Sequence, residues 1–156
     1  MCFIVHENYK KALIAEKDIV CYKKVKIRKG MSALKKRQEV TSEKIVMNSA
    51  IQHFYYWFNR PYKSPLRKEK SNEDPHGSGY IYQGFHSYIS LKKIMTFHTL
   101  RSLSGLKSHN KIFVKCLIPK GSKYYINPKK NQYCSNYIKI VKVIIIKDKK
   151  TNKFYY

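Results

Sequence analysis

The chain has 156 residues, the length of one domain. A hydrophobic fraction of 43% and an aromatic fraction of 14% supply a core and exclude a fully disordered chain. Lys and Arg number 33 against 9 Asp and Glu, a formal charge of +24 that excludes indifference to polyanions.

Abundant Lys and Ile, 14 Tyr and few Ala are what an A/T-rich coding sequence yields, so the placement of charge carries more information than its total. From Pro75 to Lys147 there is no carboxylate at all, which restricts acid–base mechanisms more than any motif supports one. Cys2, Cys21, Cys116 and Cys134 form no Cys-x-x-Cys pair, and the six histidines form no His-x-x-x-His pair, so no metal site is expected. Cys2 to Val5 is too short for a secretory signal and no stretch is long enough to span a bilayer. These features predict a cytoplasmic protein with buried, reduced thiols, inside the host cell if its origin is viral.

In chain order, Asp18 to Ile27 reads as a strand, rich in β-branched and aromatic residues. Met31 to Lys44 is polar and basic, and Ile45 to Phe58 fits either a helical flank or a packed aromatic segment. Asn59 to Gly79, with its prolines and glycines, reads as an irregular connection; His76-Gly77-Ser78-Gly79 precedes a strand rather than a helix and reads as a turn, not a phosphate loop. Tyr80 to Phe85 is strand-like. Ser90 is placed to cap a helix whose apolar side is Leu91, Ile94, Met95 and His98 and whose stop is Gly105. Lys111 to Ile118, Ser122 to Ile126 and Tyr137 to Lys147 read as strands, and Lys149 to Tyr156 as a tail. The predicted fold is α+β: one domain over 1–156 with a mixed, twisted β-sheet and few helices.

Basic clusters at Lys23–Lys29, Lys35–Arg37, Arg67–Lys70, Lys120–Lys123 and Lys129-Lys130 are interleaved with tyrosines. Lysine supplies charge and tyrosine supplies stacking area, the pairing that a nucleotide or single-strand site uses.

Tyr22-Lys23-Lys24, then Gly84-Phe85-His86-Ser87-Tyr88-Ile89-Ser90, then Ile118-Pro119-Lys120-Gly121-Ser122 followed by Tyr124-Tyr125-Ile126, resemble in order and spacing the mono-ADP-ribosyltransferase family over about residues 18–147. The Ile-Pro-Lys-Gly-Ser turn is also similar to one in small phage and bacterial proteins. The resemblance implies a transferase-like fold and, with catalysis, NAD as cofactor. Of three departures from the family, one is that Ser87-Tyr88-Ile89 does not reproduce its Ser-Thr-Ser, and the other two bear on ligand grip and on the acid. Lys23 stands where the family has an arginine, and Gln132 to Asn136 stands where the family has its Glu-x-Glu, with no glutamate to steady an oxocarbenium ion.

The expected function is therefore non-catalytic binding of an anionic nucleotide-type ligand or nucleic acid, with no cofactor, by a small, highly basic protein of phage or viral type. Its site is expected at Lys23, His86, Ser87, Tyr88, Lys120 and Lys123. The alternatives are a divergent ADP-ribosyltransferase using NAD, with Glu16, Asp18 or Asp148 as its acid, and a basic module that binds an acidic host protein. No membrane partner is expected.

Overall fold

The structure, a computed structural model, describes residues 3–27, 47–49, 55–56, 59–69, 79–92, 111–144, 146–147 and 154–155. Its elements are almost entirely strands: β1 (Phe3–Ile4), β2 (Leu13–Ile14), β3 (Ile19–Ile27), β4 (Met47–Ser49), β5 (Tyr55–Tyr56), β6 (Pro61–Lys63), β7 (Arg67–Glu69), β8 (Tyr80–Gln83), β9 (Phe85–Tyr88), β10 (Lys111–Ile118), β11 (Lys123–Asn127), β12 (Gln132–Ser135), β13 (Tyr137–Ile144), β14 (Ile146–Lys147) and β15 (Phe154–Tyr155). Among the described residues a 3-10 turn, Glu7–Tyr9, interrupts them and Leu91 and Lys92 are helical, where the helix capped by Ser90 was expected to start; the rest of that expected helix lies outside the described residues.

A ten-stranded sheet runs β2-β11-β12-β9-β3-β10-β13-β6. It forks at β3: one edge of β3 pairs with β10 from Ile19 to Lys26, while the other is shared between β9 at Tyr22 and β4 from Val25 to Ile27. β5 continues from β4. A three-stranded sheet, β1-β8-β7, and the β14-β15 pair complete the described structure.

The sheet was expected to be mixed. Instead, every pairing among the described residues is antiparallel. A short link accounts for one of these pairs: β11 and β12 are joined by a few residues, and a parallel pair needs a crossover of a dozen or more. Two further expectations change. The irregular connection 59–79 contains β6 and β7, and the tail contains β15, paired with β14. Strands this short and polar carry little of the β-branched pattern that marks a strand in sequence.

Alternation along β3 divides the core. Cys21 and Val25 face one side of the sheet, where they join Phe85, Val114, Cys116, Ile118, Ile138, Ile140 and Val143. On the opposite side, the three-stranded sheet packs against the β11-β12-β9 end through Phe3, Val5, Ile81 and Cys134, with Leu66 and Tyr125 at the margin. Gly84 makes the corner between the two sheets. Its φ is +142°, and a Cβ there would come within 2.6 Å of Leu66 Cδ2 and 2.7 Å of Cys134 Sγ, so only glycine fits the bend.

Candidate polyanion-binding face

The six residues expected to line a cleft are distributed over different surfaces. Lys23 is 5% exposed and lies on the inner side of β3 with Cys21 and Val25. Its ammonium donates to the His86 carbonyl oxygen at 2.6 Å, so it ties β3 to β9. Burial pulls its pKa below the usual lysine range, offset in part by the neighbouring Cys116, Cys21 and Cys134. Ser87 is buried on the same side, and its hydroxyl is without a well-directed hydrogen-bond partner among the described residues. Burial alone would raise the Cys21 thiol, but the neighbouring Cys116 thiol, the Ser87 hydroxyl and the Lys23 charge outweigh it and leave the thiol lowered, while Cys116 opposite it is pushed well up. Cys134 faces the other side of the sheet, so the three described cysteines, all buried and free, do not converge.

His86 and Tyr88 alternate onto the outer side of β9. His86 stands opposite Cys134 and meets Phe3 edge-on at 6.1 Å between ring centroids. Its Nε2 is buried without a hydrogen-bond partner among the described residues. Burial, then the Lys23 charge, lowers its pKa from 6.5 to about 4. The neutral ring is thus the folded form, and the unfolded chain binds the extra proton between those values. Stability is expected to be complete above pH 6.5 and to fall as the pH drops toward 4. At ~1.4 kcal/mol per unit, reduced by partial solvent screening, the loss is about 2 kcal/mol. Urea melts at neutral and mildly acidic pH check this, and His86→Phe should flatten the difference.

Lys120 and Lys123 are exposed on the turn and strand after β10. That turn is held by its own bonds: Gly121 N–H donates to the Ala15 carbonyl, Ser122 N–H to Pro119, and Lys120 N–H to Asp18 Oδ1 at 2.8 Å. The Ile-Pro-Lys-Gly-Ser segment therefore clamps residues 15–18, and Asp18 serves as its cap. Within Gln132 to Asn136, the stretch in the Glu-x-Glu position, Gln132–Ser135 is a paired strand between β11 and β9.

What the sequence did not reveal is the outer side of β9-β3-β10-β13. Gln132, Tyr88, Tyr22, Lys115 and Lys142 stand directly opposite one another on five successive strands. At ~4.8 Å per strand this row is about 19 Å long. A second row beside it holds Val20, Leu117, Lys139 and Pro61. Val20 is 42% exposed, so this end of the face opens to solvent. Phe113, between Lys24 and Ile144, is buried and closes the far end. At the margin, the Lys63 ammonium lies 5.7 Å from the ring centroid of Tyr137, its cross-strand partner.

The electrostatics of this face are one-sided. None of the ten strands of the large sheet contains an Asp or Glu. Lys115 and Lys142 are directly opposed, an arrangement that costs stability in an antiparallel pair. A bulge makes it possible. Lys139 and Lys142 are three residues apart and would fall on opposite faces of a regular strand, but the register shifts at Lys115/Cys116 and skips Val141, returning both to one face.

No helix among the described residues is long and apolar enough to cross a membrane. Comparison with known protein families, characterised proteins and solved structures finds no match to this chain.

Proposed function

We propose that the protein is a non-catalytic binder of phosphate-bearing polyanions, nucleic acid or nucleotide in kind, which it holds on the outer face of β9-β3-β10-β13. One observation carries the reading: two opposed ammonium groups, Lys115 and Lys142, continue a row begun by Tyr88 and Tyr22 on a sheet without carboxylates. The like-charge repulsion is relieved when an anion bridges the pair, and the phenol rings offer stacking area next to it.

A transferase reading has less to draw on. Asp18 is engaged by the Lys120 amide, Glu16 is exposed beside it, Asp148 lies outside the described residues, and the strand in the Glu-x-Glu position has no acid. Binding of an acidic protein would use the same lysines and is separated by the test itself.

The test is a salt titration of affinity for a fluorescent oligonucleotide. Neutralising three phosphates, with Lys115, Lys139 and Lys142, predicts a log–log slope of about −2 for a single strand. Lys115→Gln combined with Lys142→Gln should reduce that slope by roughly 1.4. No binding at low salt, together with capture of an acidic protein that the double variant abolishes, would overturn the nucleic-acid reading.

A further inference from the structure

Resting on the polyanion reading, we infer that the ligand of this face is a single strand, laid across the β-strands with bases stacked on Tyr88 and Tyr22 and phosphates on Lys115 and Lys142. The order of the row is the argument. Two aromatic positions adjoin in the ladder, Tyr22 opposite Tyr88, and two cationic positions adjoin them, Lys115 opposite Tyr22 and Lys142 opposite Lys115. Stacking groups and charges are thus segregated along the row, with Lys139 adding a further cation one row away.

A ligand recognised by charge alone has no use for the tyrosines. A duplex presents phosphates outside and keeps its base faces stacked inside, and reading its major groove takes a protruding helix or two-stranded ribbon. This site is the broad side of a sheet, bounded by the buried Phe113 and by the packed three-stranded sheet, and its described elements are strands. Unpaired bases, whose π-faces are free, can lie flat on such a surface. Gln132, next to Tyr88 in the row and half-buried, offers an amide donor and acceptor to the edge of a stacked base.

The experiment compares a short single strand, the same sequence as a duplex, and heparin, a polyanion without bases, at low and moderate salt. The single strand is expected to bind at least tenfold more tightly than either competitor at moderate salt. Tyr22→Leu with Tyr88→Leu should weaken the single strand roughly tenfold to a hundredfold, leaving heparin unchanged, and Tyr22→Phe should retain binding. Photo-crosslinking of the unaltered protein, which depends on no variant folding, should place the strand on the Tyr22 and Tyr88 peptides. If duplex or heparin binds as tightly, or the crosslinks fall elsewhere while Lys115→Gln still weakens binding, the single-strand inference falls and the polyanion reading stands. If no polyanion binds, both fall.

Discussion

Lys142→Glu is expected to make the protein more stable and a worse binder at the same time. The substitution turns the opposed pair Lys115–Lys142 from like to unlike charge. A favourable cross-strand ion pair is worth about 0.2–1 kcal/mol, and removal of the repulsion adds a similar amount. For a domain of this size, 1 kcal/mol is about 2–4 °C in thermal midpoint. The same change deletes one charge-assisted contact to phosphate, worth roughly 1.5–3 kcal/mol, so affinity for an oligonucleotide should fall about tenfold or more. Thermal melts and binding isotherms on one preparation read both effects. A protein that loses stability, or gains it without losing affinity, would show that the opposed lysines are not held in place for an anion.

The second large effect concerns Lys23. Its side chain is buried, with its ammonium on the His86 carbonyl. Lys23→Glu places a carboxylate among Cys21, Cys116 and Ser87 and deprives that carbonyl of its donor. An unpaired buried charge costs several kcal/mol, enough to consume much of the stability of an ordinary domain. The variant is expected to be unfolded or to melt far below the parent. Lys23→Met removes the charge without adding one and leaves the carbonyl unsatisfied, a cost of about 1–3 kcal/mol. It should fold and bind an oligonucleotide like the parent. Should Lys23→Met keep its melting midpoint yet lose binding, Lys23 belongs to the ligand site and the sheet face described above does not.

The sequence and the structure agree where strands are long. β3, β10 and β13 are legible because Ile, Val, Tyr and Cys alternate or run together over eight or nine residues. β1, β2, β6 and β7 are two or three residues each, and their pairing depends on partners distant in the chain. The candidate face was hidden for a related reason. Its cations, Lys115 on β10 and Lys139 and Lys142 on β13, are spaced apart along their strands, so no run marks them, whereas the visible runs such as Lys120–Lys123 belong to a turn already occupied with its own hydrogen bonds. Tyr88, expected at the site from sequence, lies on the outer side of β9 beside Tyr22. Lys23 and Ser87 could not be placed correctly without knowing which side of β3 and β9 is the inner one. Lys142 required the skipped Val141, which only the ladder reveals.

The outer margins of the large sheet have a bearing on how the molecule behaves in a crowd of its own copies. At one margin, β6 begins with Pro61, which has no amide hydrogen to offer, and ends with Lys63, whose charge repels an approaching chain of the same kind. At the other, β2 is only Leu13 and Ile14, 38% and 53% exposed, apolar enough to be adhesive but too brief to template a long ribbon. Proline, like charge and brevity are the devices by which sheets stop growing. These two margins of the broad sheet are therefore poor templates for edge-to-edge pairing between copies.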